Sequence, residues 1–361
     1  MRKLFLLSAL AGLALAGFSG GAAKADEKKE KKESSKLKPG DPAPAFKVSK
    51  WVQGKPVESF ASGKVYVVEF WATWCGPCIM MMPHMGDIQA EYKDKGLTII
   101  GYTKYDKNNT AGQVSAFVSK RGPKLGYTFA YGDDRTTYDA WMTAADQNGI
   151  PCSFVVDQKG KIAYIGHPMF LDEVLPKVFD GTWKADEGNK FVEQLNKEVE
   201  DVFGKLEGKD PAAGLKALED FEKNRPGLAK IPFFVGPKLH LMIQAGKLPE
   251  ANKLAISLIA TAIAKDDSST LGNVASMICA SEKADKDLKT QALKAADGAL
   301  KISGDKDVRA LLTAAEAYYS VGEKDKAKTY SEKAVDAAPE KLKPRIEEMV
   351  KQYGYVKPVK M

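Results

Sequence analysis

Cysteine and histidine are scarce in this chain: 361 residues contain four of the first and three of the second. Four cysteines are too few for a small scaffold stapled by disulfides. His84, His167 and His240 stand in none of the Cys/His spacings that hold structural zinc. Charge of one sign is not in marked excess either. The formal balance of +7 falls to four once Arg2, Lys3 and Lys24 are set aside with the leader described below. So mild a surplus, spread over lysine-rich helices and linkers, does not mark a nucleic-acid-binding protein. No phosphate-cradling glycine loop is present. The apolar run at residues 4–17 falls short of the roughly 20 residues of a permanent membrane span. What remains, 44% hydrophobic and 28% charged, is a globular composition with room for two domains.

The first 25 residues have the three parts of a secretory leader: Arg2 and Lys3, the apolar run, then Ala23-Lys24-Ala25. Cleavage is expected after Ala25, with no cysteine nearby to carry a lipid. The mature chain is then expected to be soluble and periplasmic or secreted, where disulfides persist, with no membrane span left. Residues 26–38 are Lys, Glu and Ser with little to bury and read as a disordered charged tether.

The stretch around which the chemistry gathers is Trp71-Ala72-Thr73-Trp74-Cys75-Gly76-Pro77-Cys78, between a strand-like run at 65–70 and a helix-like segment at 79–95. Two thiols separated by two residues can close a small ring within one turn. Cys75 falls just before the helix, where free N–H groups and the positive end of the dipole favour an anion. That placement lowers a thiol's pKa below the roughly 8.5 of free cysteine. Cys78, one turn in, is better shielded and suits the resolving role.

Cys-Gly-Pro-Cys behind Phe70-Trp71-Ala72 resembles the thioredoxin superfamily, and further motifs resemble its exported TlpA-like thiol:disulfide interchange branch. These are Gly40-Asp41-Pro42-Ala43-Pro44-Ala45-Phe46, Gly63-Lys64-Val65, Met82-Pro83, Gly149-Ile150-Pro151 ahead of Ser153-Phe154-Val155-Val156-Asp157, and Gly160-Lys161-Ile162. The resemblance implies an α/β thioredoxin fold, a central mixed sheet flanked by helices, over residues 39–183. Within that span, strands are expected at 65–70, 97–102, 128–131, 153–157 and 162–165, and helices at 79–95, 113–120, 136–145 and 170–179.

By matching position, the resemblance gives Glu69 the part of a buried acid that takes the proton from Cys78. The competing reading is a strand glutamate facing solvent. Pro151 is expected to be cis and, with Ile150, to present backbone to a substrate strand opposite Cys75. Trp71 reads as packing and Trp74 as the rim of the docking surface, while Gly76 and Pro77 tune the pair. The Gly-Pro insert resembles reducing members more than oxidising ones.

Two features depart from the family pattern. Met80, Met81, Met82, His84 and Met85 make a soft cluster beside the thiols, which opens a Cu(I)-handling alternative using Cys75 and Cys78. The competing reading is adaptable packing or docking by flexible side chains. Cys152 directly follows Pro151. It reads as a small core residue, with an alternative disulfide to Cys75 as the other possibility. Cys279 reads as core, and His167-Pro168 as a turn after the last strand.

Residues 184–361 lose the strand signal and become rich in Ala, Lys, Leu and Glu at helical spacing, an all-α domain with helices expected at 189–203 and 211–224. Ala314-Ala315, Tyr318, Gly322, Ala327, Ala334 and Pro339 match a tetratricopeptide repeat, with weaker copies at 246–251 and at Ala292, Ala296 and Ala299. The alternative is divergent helical hairpins without a binding face. The sequence therefore points to an exported thiol-disulfide oxidoreductase that needs no cofactor and no metal. Its expected partners are protein thiol or disulfide substrates, a redox partner, and a protein held by the helical domain. The rival reading is a repeat-based assembly module that keeps the redox fold as scaffold.

Overall fold

The computed structural model describes residues 36–356; the leader and most of the charged tether lie outside the described residues. A six-stranded mixed sheet runs in the order β1-β4-β3-β2-β5-β6. β2 (Val65–Phe70), β3 (Leu97–Lys104) and β4 (Thr128–Gly132) are parallel. β5 (Cys152–Val156) and β6 (Ile162–Gly166) add an antiparallel hairpin. β1 (Lys50–Gln53) closes the other edge against β4, a strand the sequence pattern did not announce. Its four residues are too short for a period of two to register.

β2 is buried along its whole length, as befits a central strand covered on both sides. Val65 and Val67 face one layer, with Trp71, Val155 and the thiol pair. Tyr66, Val68 and Phe70 face the other, with Trp141, Cys152 and Phe154. The first layer is covered by α1 (Gly76–Tyr92), α2 (Ala111–Leu125) and α4 (Leu171–Phe179). α1 begins three residues earlier than expected because Cys75 caps it and Pro77 fits its first turn. The helix expected over 136–145 is instead α3 (Thr136–Tyr138) followed by a wider π turn, Asp139–Thr143. There Trp141 is buried among Phe46, Phe70 and Phe154, so tertiary packing overrides the simple helical period.

The chain then continues as α5 (Ala185–Leu206), α6 (Pro211–Asn224), α7 (Pro226–Ala229), α8 (Pro232–Gln244), α9 (Leu248–Ala264), α10 (Ser268–Cys279), α11 (Lys286–Ser303), α12 (Val308–Ser320), α13 (Lys324–Ala337) and α14 (Lys343–Val350). Asp210, Asp267, Asp285 and Asp307 each cap the helix that follows with a side-chain oxygen on its first free N–H groups. Gly246 and Gly322 turn the chain between α8 and α9 and between α12 and α13 at φ +76° and +87°, a region that disfavours a side chain. Ala251, Ala255, Ala292, Ala296, Ala314 and Ala327 are fully buried where these helices cross.

The apolar core does not stop at residue 183. Leu195, Val199, Leu218, Phe221, Leu228 and Phe234 belong to the same buried cluster as Cys78, Met81 and Leu171. Arg225 reaches back to Glu173 on α4 while pairing with Glu198. Further along, Lys265 pairs with Asp87 at 2.5 Å and Lys124 pairs with Asp266. Arg121 Nη2 donates to Ser268 Oγ at 3.3 Å, and Lys120 Nζ to Ser303 O at 3.1 Å.

Candidate functional site

The thiol pair sits where the apolar strand β2 ends and α1 begins. Cys75 is the residue before the first helical turn, and its sulfur accepts the N–H of Cys78 at 3.2 Å. The two sulfurs are joined as a disulfide, with Cα atoms 5.3 Å apart. Cys75 keeps 5% of its surface exposed and Cys78 none, the asymmetry that an attacking and a resolving thiol require. Unsatisfied N–H groups and the helix dipole bear on the Cys75 sulfur and favour its anion once the bond is reduced.

The loop carrying this turn is held by a network that the sequence reading missed. Thr103 Oγ1 donates to Trp71 O at 2.6 Å and accepts from Asn109 Nδ2 at 2.7 Å. Asn109 Nδ2 also donates to Lys104 O at 2.7 Å. Its Oδ1 accepts the Thr73 N–H at 2.9 Å and the Thr73 hydroxyl at 2.8 Å. Asn109 is fully buried. The Asp106-Lys107-Asn108-Asn109 run signals a turn in sequence, but nothing local shows that its last side chain folds back onto the loop before Cys75. Trp74, 56% exposed, is steadied at the rim by its Nε1 donating to Asp106 Oδ2 at 2.9 Å. Gly76 and Pro77 are exposed beside it, and Trp71 is buried.

Opposite the pair, the Ile150–Pro151 bond is cis, and the Ile150 carbonyl oxygen lies 3.8 Å from Cys75 Sγ. Glu69 is fully buried, so the solvent-facing reading of this strand glutamate falls. It lies between Gly101 on β3 and Ser153 on β5. Neither carboxylate oxygen has a hydrogen-bond partner among the described residues, and burial pushes its pKa up to about 8.

The soft cluster divides between the core and an ion pair. Met81, Met82 and Met85 are buried in the core, and His84 Nε2 lies 2.6 Å from Asp172 Oδ2 on α4. Cys152 lies in the layer across the sheet from Cys75, with its sulfur 3.9 Å from Gln147 Oε1 and its thiol pushed up to about 12 by burial. The structure thus places it as a core residue, while Cys75 is bonded to Cys78. Cys279 is half-buried rather than fully core, 3.6 Å from Ser320 Oγ, and burial pushes it up to about 12 as well. His167 caps the turn Pro168–Phe170, its Nδ1 accepting the Met169 N–H at 3.1 Å. Burial lowers its pKa to about 4, which leaves it a neutral structural group.

With this geometry in view, known proteins bear on the chain. The redoxin family profile matches residues 38–174. Protein FixW of Rhizobium leguminosarum is 35% identical over 156 residues, which make up 42% of this chain and 71% of that protein. Thiol-disulfide oxidoreductase ResA of Bacillus anthracis is 33% identical over 132 residues, 36% of this chain and 70% of that protein. A crystal structure of a thioredoxin-family thiol:disulfide interchange protein from Chlorobium tepidum TLS is 28% identical, covering 40% of this chain and 98% of that one at a TM-score of 0.33. A third of the positions shared across most of a relative's length goes beyond composition and spacing, and the chain belongs to the redoxin family of the thioredoxin superfamily.

Proposed function

We propose that this chain exchanges disulfides with protein substrates outside the cytoplasm, as a TlpA-like member of its family. The enzyme class is that of a thioredoxin-like thiol-disulfide oxidoreductase. The observation that carries the reading is the Cys78 N–H aimed at Cys75 Sγ, with the two sulfurs already within bonding distance.

In the reduced protein, the Cys75 thiolate attacks a client disulfide and one client sulfur leaves as thiolate. Cys78 gives its proton to Glu69 and attacks the Cys75 sulfur of the mixed disulfide. The client leaves fully reduced and the pair is oxidised by two electrons, to be recharged by a dithiol redox partner. The exposed indole of Trp74, together with Gly76, Pro77 and the Ile150–Pro151 backbone, forms the docking edge for the extended client segment. The export reading rests on residues 1–25 as leader and 26–38 as tether. Residues 39–183 are the redox domain in this reading. Residues 184–361 form a repeat-like helical domain that holds a partner protein, supported by hairpins that turn at Gly246 and Gly322 over buried alanines.

The test is made on the full chain, since helices beyond residue 183 share the redox core. Cys75→Ser is expected to abolish reduction of a disulfide-bonded protein such as insulin. Cys78→Ser is expected to accumulate client mixed disulfides that a thiol reductant releases. Wild-type turnover by Cys75→Ser would overturn the proposal.

A further inference from the structure

Beneath the thiol pair lies a group of polar side chains of which the exchange chemistry above uses only Glu69. Among the described residues, Glu69 Oε1 and Oε2, Trp71 Nε1, Tyr127 OH and Ser153 Oγ are all buried without a hydrogen-bond partner. Native proteins leave few such atoms, and each one alone costs free energy. Here they share one layer. Val65, Val67, Trp71, Tyr127 and Val155 line the face that α1 covers, and strand alternation places Glu69 and Ser153 on the same face.

The register fixes their neighbourhood. Ser153 is the cross-strand neighbour of Glu69 on one side and Gly101 on the other. A Cβ on Gly101 would lie 3.2 Å from Trp71 Nε1 and 3.0 Å from the Phe129 ring. The bare glycine therefore lets the indole N–H reach over the strand beside Glu69. Tyr127 stacks on Phe129 at 4.5 Å, and Phe129 is the strand neighbour of Gly101. Burial holds the Tyr127 phenol well above its ordinary range, with the Glu69 charge adding to the shift, so the hydroxyl stays protonated and can donate.

The titratable groups in this layer are Cys75 at the cap of α1 and Cys78 within it, Tyr92 at its end, Tyr127 and Tyr131 at β4, and Tyr164 from β6. Tyr164 is committed to His167 O at 2.8 Å. Glu69 is the only charged side chain fully buried among the described residues.

We infer that Tyr127 and Ser153 are positioning residues for Glu69: with the Trp71 indole N–H they make a donor-rich chamber under the thiol pair that favours the carboxylate. The inference rests on Glu69 being the base of the resolving step. In that step the Cys78 proton passes to the carboxylate, the Cys78 sulfur bonds to Cys75, and the client sulfur departs with the electron pair. The carboxyl then returns its proton to water. Hydrogen bonds to a carboxylate favour its ionised form and oppose the effect of burial. Fewer donors leave less carboxylate at neutral pH and a slower proton transfer. Two donor hydroxyls and an indole thus offset part of the desolvation that raises this base's pKa.

Tyr127→Phe and Ser153→Ala each remove a single oxygen and leave the packing in place. The reduced full chain is mixed with 5,5′-dithiobis(2-nitrobenzoate) in a stopped-flow instrument. The first thionitrobenzoate is released by Cys75 and the second when Cys78 displaces it. In each variant the pH midpoint of the second phase is expected to rise by about half a unit, slowing that phase roughly threefold at neutral pH, while the first phase is unchanged. Wild-type midpoints in both variants and in the double variant, alongside a profile flattened by Glu69→Gln, would overturn the chamber and leave Glu69 as the base. A Glu69→Gln enzyme with the wild-type profile would remove the base itself, a separate result. The carboxyl C=O band in infrared difference spectra gives a second reading of the same titration.

Discussion

The backbone N–H of Cys78 lies 3.2 Å from the sulfur of Cys75, so the second thiol of the pair supplies the backbone donor that polarises the first. The same bond caps α1, which couples the start of the helix to the chemistry of the sulfur.

In the reduced protein, therefore, Cys75 should react with iodoacetamide at neutral pH at least about tenfold faster than a cysteine in an unfolded peptide. Cys78, with no exposed surface, should lag well behind it. Cys152 and Cys279, both pushed up to about 12, should stay silent until the chain unfolds. Mass mapping of the label after short exposures measures all four. Equal labelling of Cys75 and Cys78 would contradict the asymmetry.

Glu69 makes a prediction about stability as well as rate. Its carboxyl holds a proton to about pH 8 when folded, whereas the unfolded chain releases it near the model-peptide value of 4.5. Between these values the folded state binds more protons, so stability is greatest below about pH 4.5 and declines as pH rises towards 8. At about 1.4 kcal/mol per unit, the interval accounts for up to about 5 kcal/mol. Glu69→Gln should flatten this decline. Urea unfolding of both proteins at about pH 5 and pH 9 checks it, and parallel slopes in the two would rule it out.

Asn109 makes four side-chain hydrogen bonds to three residues, Thr73, Thr103 and Lys104, around the active-site loop. Asn109→Ala takes these bonds from the buried Thr103 hydroxyl and from half-buried groups of Thr73 and Lys104, at an expected cost of about 2–3 kcal/mol. Asn109→Asp keeps the two acceptor bonds and loses the donors, so it should fall between wild type and alanine at high pH. Chemical denaturation supplies the order of the three, and the reduction potential of the thiol pair should shift with them.

Phe234 lies on α8 yet belongs to the redox core, where it stacks on Phe203 at 5.1 Å and meets Phe221 at 4.8 Å. Phe234→Ala should cost about 3–5 kcal/mol. Because this cluster is continuous with the residues around Cys78, the loss should appear in the unfolding of the redox region itself, read by the burial of Trp71 and Trp141. A variant that melts only helical signal, with tryptophan emission unchanged, would show two independent cores.

Much of the arrangement was legible along the chain. The strand at Val65–Phe70 and the helix at Pro211–Asn224 coincide with their expected bounds, because each is a local pattern closed by its own turn or cap residues. The wide turn at Asp139–Thr143 was not legible, since it follows from seating Trp141 among aromatic rings that lie far apart in sequence. Nor was β1, an edge strand whose partner is about 80 residues away.

The pair of thiols at a strand-to-helix junction, the order of strands and helices, and the change to an all-helical region follow from neighbours in sequence. Backbone preference and side-chain period act over a few residues, so a linear pattern carries them. Which groups meet at the site depends on register across strands and on packing between distant segments. Cys152 follows Pro151 directly, yet alternation in β5 turns its sulfur to the far layer while Ser153 faces Glu69. Asn109 returns to Thr73 across 36 positions, and α5 to α8 complete a core begun before residue 100. Those contacts come from the folded sheet and its cover, because burial is a property of what surrounds a residue.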